Sequence, residues 1–195
     1  MSDPVLHLLA GPNGAGKSTF HEQLLAPATG LRFINADEIA AIRWPGAELE
    51  HAYEASDLAA AERDRAIARR ESFITETVFS HPSKSELVRQ ARSAGYRVTL
   101  HIILIPEELA VARVQLRVQL GGHDVPEDKI RGRYARLWQH LAGSIEGCDE
   151  SFVYDNSRAR RPFRPVATFH RGRLVGNPDW PPWTPHGIRA AGLHS

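Results

Sequence analysis

Residues 5–19 read VLHLLAGPNGAGKST, an apolar run that leads directly into a glycine-rich segment. The run from Val5 to Ala10 is typical of a buried strand in a parallel sheet. The segment behind it fits the pattern G-x-x-x-x-G-K-S/T at every fixed position. Its place between a strand and a helix predicts a phosphate-binding loop (P-loop) rather than a chance glycine-rich turn. This loop comprises Gly11, Pro12, Asn13, Gly14, Ala15, Gly16, Lys17, Ser18 and Thr19.

Each part of the P-loop suits the binding of a nucleoside triphosphate. Glycines let the backbone curl tightly, so that successive N–H groups face phosphate oxygens. The Lys17 ammonium group adds a positive charge near the β- and γ-phosphates, and the Ser18 hydroxyl can bind Mg²⁺. The helix that follows offers its unpaired N–H groups to the anion. We therefore expect ATP or GTP with Mg²⁺, and the absence of a guanine-reading Asn-Lys-x-Asp stretch slightly favours ATP.

Composition and length indicate one globular domain without a special partner. The 195 residues suit a single full core, and the net charge of +1 gives no preference for an acidic or basic partner. A single cysteine, Cys148, excludes an internal disulfide and makes a cysteine metal site implausible. The first strand begins too early for a signal peptide, and no apolar run approaches membrane-spanning length. We expect a cytoplasmic protein that does not contact membranes.

Alternation of strands and helices predicts a P-loop NTPase fold, a three-layer α/β/α architecture with a mostly parallel central sheet and a small helical lid. Strands are expected at 31–34, 72–78, 97–105 and 151–154, with an edge hairpin at 165–169 and 173–175. Helices are expected at 17–25, from 38, and at 48–70, 83–94, 106–119 and 127–145. One domain would cover 1–176, with a lid at about 113–136, and an irregular tail rich in proline and tryptophan would cover 177–195. Within the fourth strand, His101 is expected to be a core histidine rather than a ligand.

Two carboxylates follow strands on the predicted ligand-binding edge. Asp37 comes after the second strand, on the edge where open α/β sheets bind ligands. Alternatively, Asn35 or Asp37 caps the helix that begins at Glu38, and both roles are compatible. Glu76 interrupts the apolar pattern of the third strand, and a buried carboxylate is costly without a partner. We therefore favour a functional Glu76 at the carboxyl end of the strand over a solvated strand end.

Arginines flank a flexible segment in the second half of the chain. Arg113 and Arg117 are four residues apart and share a helix face. Turn-forming residues at 121–126 interrupt the helical pattern, and the next helix carries Arg131, Arg133 and Arg136. Helix, loop and helix with arginines on both sides predict a small lid over a nucleotide. Alternatively, Arg113 and Arg117 only form a solvent-exposed row of arginines on the helix.

Over roughly residues 5–157 the chain resembles the zeta-toxin family of P-loop kinases, especially its short, single-domain members. The resemblance depends on an ordered set of motifs rather than on the P-loop alone. These are residues 11–19, Asn-Ala-Asp-Glu at 35–38, Thr-Glu-Thr at 75–77, the helix with Arg113 and Arg117, Gly-Gly-His-Asp-Val-Pro at 121–126, and Tyr-Asp-Asn-Ser at 154–157. It implies a kinase that phosphorylates a sugar hydroxyl of UDP-N-acetylglucosamine with ATP or GTP and Mg²⁺. An antitoxin protein stays open as a partner.

The resemblance also implies roles for individual residues. Asp37 matches the catalytic base, and Arg117, with Arg113 as the alternative, matches the helix arginine that contacts the transferring phosphate. His123 stands where better-known members carry a lid arginine, and histidine is a weaker, pH-dependent cation. Either Arg131 or Arg133 replaces the charge, or transfer is slower. The expected catalytic residues are Asp37, Lys17, Arg117 and Arg133. The expected substrate-binding residues are Asp37, Glu76, Thr77, Arg113 and His123, and Ser18 is the expected Mg²⁺ ligand.

Three other functions are considered. The same P-loop sequence also occurs in ABC-type ATPases. Two features of those ATPases are missing: the chain has no Leu-Ser-Gly-Gly-Gln-like signature, and the strand at 97–105 does not end in Asp-Glu. Both absences disfavour an ABC-type ATPase. A polynucleotide kinase could use the arginines between Arg158 and Arg164 to follow a phosphate backbone. The near-neutral charge and the lack of interleaved aromatics disfavour nucleic acid. A non-catalytic nucleotide-binding module is the third alternative, which Asp37 disfavours.

Overall fold

A computed structural model describes residues 3–79, 83–119 and 125–192. In these ranges the strands join into one sheet in the order β2-β3-β1-β4-β5-β6-β7. The first five strands in this order run parallel to one another. Strand β6 pairs antiparallel with β5, and β7 pairs antiparallel with β6. The strands are β1 Val5–Ala10, β2 Arg32–Ile34, β3 Phe73–Thr77, β4 Arg97–Leu104, β5 Glu150–Asp155, β6 Arg164–His170 and β7 Arg173–Val175. The mostly parallel α/β fold and the terminal hairpin are thus confirmed.

The helices follow the predicted order with shifted ends. They are α1 Lys17–Phe20, α2 Ala26–Thr29, α3 Ala36–Arg43, α4 Ala52–Ala68, α5 Ser83–Ser93, α6 Glu107–Gln119, α7 Glu127–Ile145 and α8 His186–Ala190. A π-helical turn at His21–Leu25 joins α1 and α2 into one continuous helix, in which the Ala26 N–H donates to the carbonyl of His21. The prediction that this helix ends near residue 25 is therefore wrong. Pro27 directly follows the π-helical turn inside this continuous helix, and the helix ends at Gly30 instead.

The central strands β1 and β4 are buried on both faces, which explains their nearly continuous apolar sequences. Leu6, Leu8 and Leu9 have no exposed surface, and the same holds for the apolar residues of β4. Phe20 of α1 packs against Tyr154 of β5, with ring centroids 4.9 Å apart. Helices α5 and α7 contact each other, and α5 also contacts β4. The core thus fixes the P-loop helix against the middle of the sheet.

The register of the parallel strands brings their carboxyl ends to one edge. Glu76 lies beside Leu9, and Thr77 lies beside Ala10, the last residue before the P-loop. Thr75 pairs with Ile34, and the Thr75 hydroxyl donates to the Ile34 carbonyl at 2.7 Å. Asn35 then caps α3, since its side-chain oxygen accepts from the Asp37 N–H at 2.7 Å. The capping alternative is thus confirmed for Asn35, while Asp37 lies in the first turn of α3.

Two predicted segments differ in detail. Helix α4 begins at Ala52, not near residue 48, because the chain first makes turns in which Trp44 stacks on His51 at 4.4 Å. The tail, expected to be irregular, contains helix α8, which packs on α7 and buries Ile188 completely. Its position depends on Arg189, whose guanidinium donates to the carbonyls of Pro181 and Pro182.

Helices α6 and α7 lie where the lid was predicted. The loop between them includes His123, which lies outside the described residues. Across the ranges that the structure describes, no helix combines the length and the apolar character needed to cross a bilayer.

A pair of histidines lies in the sheet beneath α1. His101 is buried, as expected for a core histidine, and its Nε2 lies 3.0 Å from Nδ1 of His7. Burial lowers the pKa of His101 to about 3, and the neighbouring His7 acts in the same direction. Burial also lowers the pKa of His7, while Glu150 opposes this shift. The pair is therefore neutral at neutral pH.

This pair should make the protein sensitive to acid. An unfolded chain protonates histidine near pH 6.5, whereas folded His101 does so only near pH 3. The group therefore costs no stability above pH 6.5, and stability is lost as the pH falls from there toward 3. We expect His101→Leu to remove about 2 kcal/mol of the stability loss that the wild type shows between pH 7 and 5. Urea unfolding at both pH values measures this difference.

The exposed His170 provides the matched control. His170→Leu should retain the full pH dependence of the wild type. An equal loss of stability in His101→Leu and in the wild type would contradict the assignment of this acid sensitivity to His101.

Candidate active site

The P-loop fits tightly against neighbouring backbone and side chains. A Cβ atom on Gly11 would lie 2.7 Å from the carbonyl oxygen of Ile103 in β4, so no larger residue fits there. Gly16 has a φ of 89°, in the left-handed region that favours glycine. A Cβ on Gly16 would also lie 2.7 Å from Nδ2 of Asn156. The loop is therefore held against β4 and against the segment after β5.

Asn156 and Arg113 hold the P-loop from the side of β5. The Asn156 amide nitrogen donates to the Ala15 carbonyl at 2.8 Å. Arg113 donates to the Gly14 carbonyl at 3.2 Å and to the Asn156 carbonyl at 3.0 Å. Asn156 belongs to the Tyr-Asp-Asn-Ser motif at 154–157, but the sequence analysis assigned it no role. Its position directly after a strand on the ligand-binding edge was the available signal.

Lys17 is buried, with 8% of its surface exposed. Its Nζ donates to the carbonyls of Gly11 and Pro12, both at 3.2 Å. Burial lowers the pKa of Lys17, while the charges of Glu76 and then Asp37 oppose this shift and Arg117 adds to it. The structure thus brings both predicted carboxylates and Arg117 within electrostatic range of the P-loop lysine.

Ser18 and Glu76 form a direct contact between the P-loop and β3. The Ser18 hydroxyl donates to Oε2 of Glu76 at 3.3 Å. A hydroxyl and a carboxylate that face each other are oxygen ligands of the kind that Mg²⁺ prefers. These two residues fit a magnesium ion bound at the end of the P-loop.

More carboxylates surround this edge than the sequence predicts. Burial raises the pKa of Glu38; His21 opposes this shift, whereas Glu76 and Glu22 add to it. Glu38 therefore lies in the same electrostatic environment as Glu76. His21 stacks on Phe33 of β2 with centroids 3.8 Å apart. Glu38 and His21 were missed because their approach to Glu76 depends on how α1 and α3 pack, which no local pattern shows.

The predicted arginines occupy different positions. Arg117 is exposed near Lys17. Arg113 donates hydrogen bonds to the carbonyls of Gly14 and Asn156. Its expected contact with substrate stays a prediction. Arg131 pairs with three glutamates, Glu107, Glu108 and Glu127.

Two further expected site residues are Arg133 and Thr77. Arg133 is half-buried in α7, and within the described residues it has no recorded contact with the P-loop or with Asp37. Thr77, expected to bind substrate, accepts a hydrogen bond from the Phe79 N–H at 3.1 Å. Its hydroxyl is held at the edge of β3 and keeps its own proton to donate.

Comparison with known proteins agrees with this geometry. The sequence model of the family described as Zeta toxin matches residues 1–161. Among curated protein sequences, none matches this chain significantly.

Similar solved structures include the PezAT toxin-antitoxin system of Streptococcus pneumoniae, with a TM-score of 0.56, 17% identity and coverage of 80% of this chain and 69% of that chain. The AvrRxo1-ORF1:-ORF2 complex with ATP has a TM-score of 0.70 and 16% identity. The match covers 89% of this chain and 60% of that chain. Shikimate kinase from Acinetobacter baumannii has a TM-score of 0.51 and 18% identity, over 80% and 86% of the two chains. At these identities the likeness shows the fold. The family match, together with the kinase fold, identifies a P-loop phosphotransferase.

Replacement of Lys17 tests the P-loop directly. Lys17→Ala removes a fixed charge that would face the most anionic part of the ligand. We expect ATP affinity to fall roughly 10- to 100-fold and phosphate transfer to be abolished. Isothermal titration calorimetry with ATP and GTP measures the change in affinity.

Lys129→Ala is the matched control, because Lys129 is exposed on α7. It should bind both nucleotides as the wild type does. Unchanged affinity in Lys17→Ala would contradict the assignment of the P-loop.

Proposed function

The chain belongs to the zeta-toxin family, and from this we propose that it transfers the γ-phosphate of ATP or GTP to a hydroxyl group of a nucleotide sugar. UDP-N-acetylglucosamine is the first candidate acceptor. The observation that carries the proposal is the contact of Glu76 with Ser18 of the P-loop, at 3.3 Å, together with the negative charges of Glu76 and Asp37, which both oppose the lowering of the Lys17 pKa. A P-loop with carboxylates at its side suits a kinase, because an acceptor hydroxyl can bind next to the γ-phosphate.

Positioning and charge neutralisation account for most of the catalysis in phosphoryl transfer. The acceptor oxygen attacks the γ-phosphorus in line, and the bond to the leaving ADP or GDP breaks. Asp37 accepts the proton of the acceptor hydroxyl and orients that group. Its side chain is exposed, while its backbone N–H is fixed by Asn35, so the carboxylate is accessible and anchored.

Cations on the opposite side neutralise the transferring phosphate. Lys17 carries the central charge, and Arg117 lies close enough to affect the lysine electrostatically. Mg²⁺, held by Ser18 with Glu76 beside it, would supply further charge neutralisation on the phosphates. Arg133 and His123 stay candidates for an additional cation of the lid.

The acidic edge favours a polyhydroxylated acceptor. Glu76 is joined there by Glu38, an exposed side chain whose pKa is raised by partial burial and by the charges of Glu76 and Glu22. Sugar hydroxyls can donate hydrogen bonds to several carboxylate oxygens. The same carboxylates would repel the phosphate backbone of a nucleic acid. This charge supports a nucleotide sugar over a polynucleotide as the acceptor.

An antitoxin partner in the cytoplasm belongs to this proposal as well. The similar structure from Streptococcus pneumoniae comes from a toxin-antitoxin system. A kinase that consumes a nucleotide sugar would need such control, since an unregulated enzyme would deplete the metabolite.

The role of Asp37 can be tested without changing the shape of the site. Asp37→Asn removes the base but keeps the size of the side chain. We expect transfer to fall by roughly two or more orders of magnitude, with ATP affinity within a fewfold of the wild type. A coupled assay for ADP, with calorimetry in parallel, measures both quantities.

Asp57→Asn is the matched control, because Asp57 is exposed on α4. This variant should transfer phosphate at the wild-type rate. Transfer by Asp37→Asn at a rate near that of the wild type would remove Asp37 from the role of the base.

The acceptor can be identified by offering several classes of hydroxyl compound. Nucleotide sugars, free sugars, nucleosides and RNA ends are incubated with ATP and Mg²⁺ and analysed by mass spectrometry. We expect UDP-N-acetylglucosamine to gain the mass of one phosphate. Glu76→Gln should lose most of this product while it still binds ATP, because the carboxylate that would face both the acceptor and the Mg²⁺ site has become neutral.

Asp57→Asn again controls for a general effect of carboxylate loss, because Asp57 is exposed on α4. Phosphate found only on RNA ends would favour a polynucleotide kinase. ATP consumption independent of every acceptor would contradict the proposed transferase activity.

A further inference from the structure

An exposed apolar surface lies where helix α3 ends and helix α4 begins. Ile42, Leu49 and Tyr53 are 80%, 55% and 90% exposed. Single exposed apolar side chains are normal on a protein surface, but a group of them at one place often marks an interaction site. The arrangement of these three residues therefore decides whether they form a site.

The chain between the two helices folds into a compact turn that gathers these side chains. The ring of Trp44 stacks on that of His51, with centroids 4.4 Å apart and planes 4° from parallel. Ile42 precedes Trp44 by two residues, and Leu49 and Tyr53 flank His51 at the same spacing. Because the stacked rings close the turn, the three exposed side chains are held around one small area.

Hydrogen bonds make this turn rigid. The Ala47 N–H donates to the carbonyl of Trp44 at 2.9 Å, and the His51 N–H donates to the carbonyl of Ala47 at 3.3 Å. The Gly46 N–H donates to Oε1 of Glu48 at 2.9 Å. Helices α3 and α4 also contact each other. A partner would therefore meet an ordered surface, and little entropy would be lost in arranging it.

The charge around this apolar area is mainly negative. The turn and its flanks contain three glutamates, Glu48, Glu50 and Glu54, and one arginine, Arg43. Glu50 and Glu54 are exposed. We refer to the three glutamates and the three exposed apolar side chains together as the α3–α4 surface.

Charge and size indicate what the α3–α4 surface binds. A second copy of the chain would bring like-charged glutamates together, which costs free energy. Anionic lipids and nucleic acids would be repelled for the same reason. A stable interface between globular proteins also buries about 800 Å² on each partner, which is more than three side chains offer. A single amphipathic helix needs only a few apolar anchors, and basic residues beside them would pair with the glutamates.

We propose that the α3–α4 surface docks a basic amphipathic helix of a partner protein. Apolar side chains of that helix would cover Ile42, Leu49 and Tyr53, and its lysines or arginines would face the three glutamates. The inference does not depend on the proposed function, because no residue of this surface has a role in the binding of nucleotide or acceptor there.

A synthetic helical peptide of about 18 residues tests the chemistry of the partner. It carries leucines on one face, lysines on the other and a fluorescent label, and fluorescence anisotropy measures its binding. Two matched peptides replace all lysines by glutamate or all leucines by alanine. We expect each matched peptide to bind at least about tenfold more weakly, because it lacks one half of the complementary chemistry. Added salt should weaken binding of the leucine–lysine peptide, since exposed charges are screened.

Variants of the protein locate the bound peptide. The double variant Ile42→Ser, Tyr53→Ser should lose at least about tenfold in affinity for the leucine–lysine peptide. Val175→Ser is the matched control, because it changes an exposed apolar side chain on β7. The double variant Glu50→Gln, Glu54→Gln should lose about threefold and show a weaker salt dependence. All of these variants should keep the wild-type affinity for ATP, which verifies that they are folded.

The acidic edge of the candidate active site needs a control of its own, since it could also attract a cationic peptide. Glu22 and Glu38 contribute negative charge to that edge. The double variant Glu22→Gln, Glu38→Gln should bind the leucine–lysine peptide as the wild type does.

Four results would overturn the proposal. The first is a leucine–lysine peptide that fails to bind, or that binds Ile42→Ser, Tyr53→Ser as well as the wild type. The second is a loss of binding in Glu22→Gln, Glu38→Gln, which would place the peptide at the active site. The third is a wild-type dimer in sedimentation velocity that Ile42→Ser, Tyr53→Ser dissociates, which would assign the surface to a second copy. The fourth is binding to phosphatidylglycerol vesicles that the same variant abolishes, which would assign the surface to a membrane.

Discussion

The buried ammonium group of Lys17 is the constraint on which the site depends. A charge removed from water costs several kcal/mol unless hydrogen bonds and opposite charges compensate it. Here two carbonyls of its own loop accept from Nζ, and Glu76 and Asp37 supply negative charge. Those carboxylates reach the lysine because β2, β3 and β1 are parallel and end at one edge. The same arrangement that stabilises the lysine places an acid-rich edge beside the phosphate-binding loop.

The surroundings of the P-loop indicate which groups must move when a nucleotide binds. Asn156 and Arg113 fix the loop backbone from the side of β5, and Ile103 leaves no space beside Gly11. By contrast, Lys17 and Ser18 are engaged by groups that a triphosphate with Mg²⁺ would replace. Side chains can therefore change partners while the backbone stays in place. This rigidity reduces the entropy cost of binding, since the loop is already ordered.

Much of this site was predictable from the sequence because its parts are local. The P-loop has a fixed spacing, and strands that end near Asp37 and Glu76 can be recognised from apolar periodicity. Contacts between distant segments could not be predicted in this way. Arg113 donates to the carbonyl of Gly14, a residue 99 positions away. Arg131 of α7 forms ion pairs with Glu107 and Glu108 of α6. The tail helix α8 packs against α7. The continuation of the first helix past Pro27 depends on a π-helical turn that has no clear sequence signal.

The central claim is that Lys17 exchanges its carbonyl partners for phosphate oxygens when a nucleotide binds. The most direct test is a crystal structure with a non-hydrolysable ATP analogue and Mg²⁺. We expect Lys17 Nζ to leave the carbonyls of Gly11 and Pro12 and to bind oxygens of the β- and γ-phosphates. The Ser18 hydroxyl should turn from Glu76 to the metal, while the bond from Asn156 to the Ala15 carbonyl persists. A Lys17 that keeps both of its carbonyl partners while the triphosphate binds elsewhere would contradict the role of this lysine as the centre of the site.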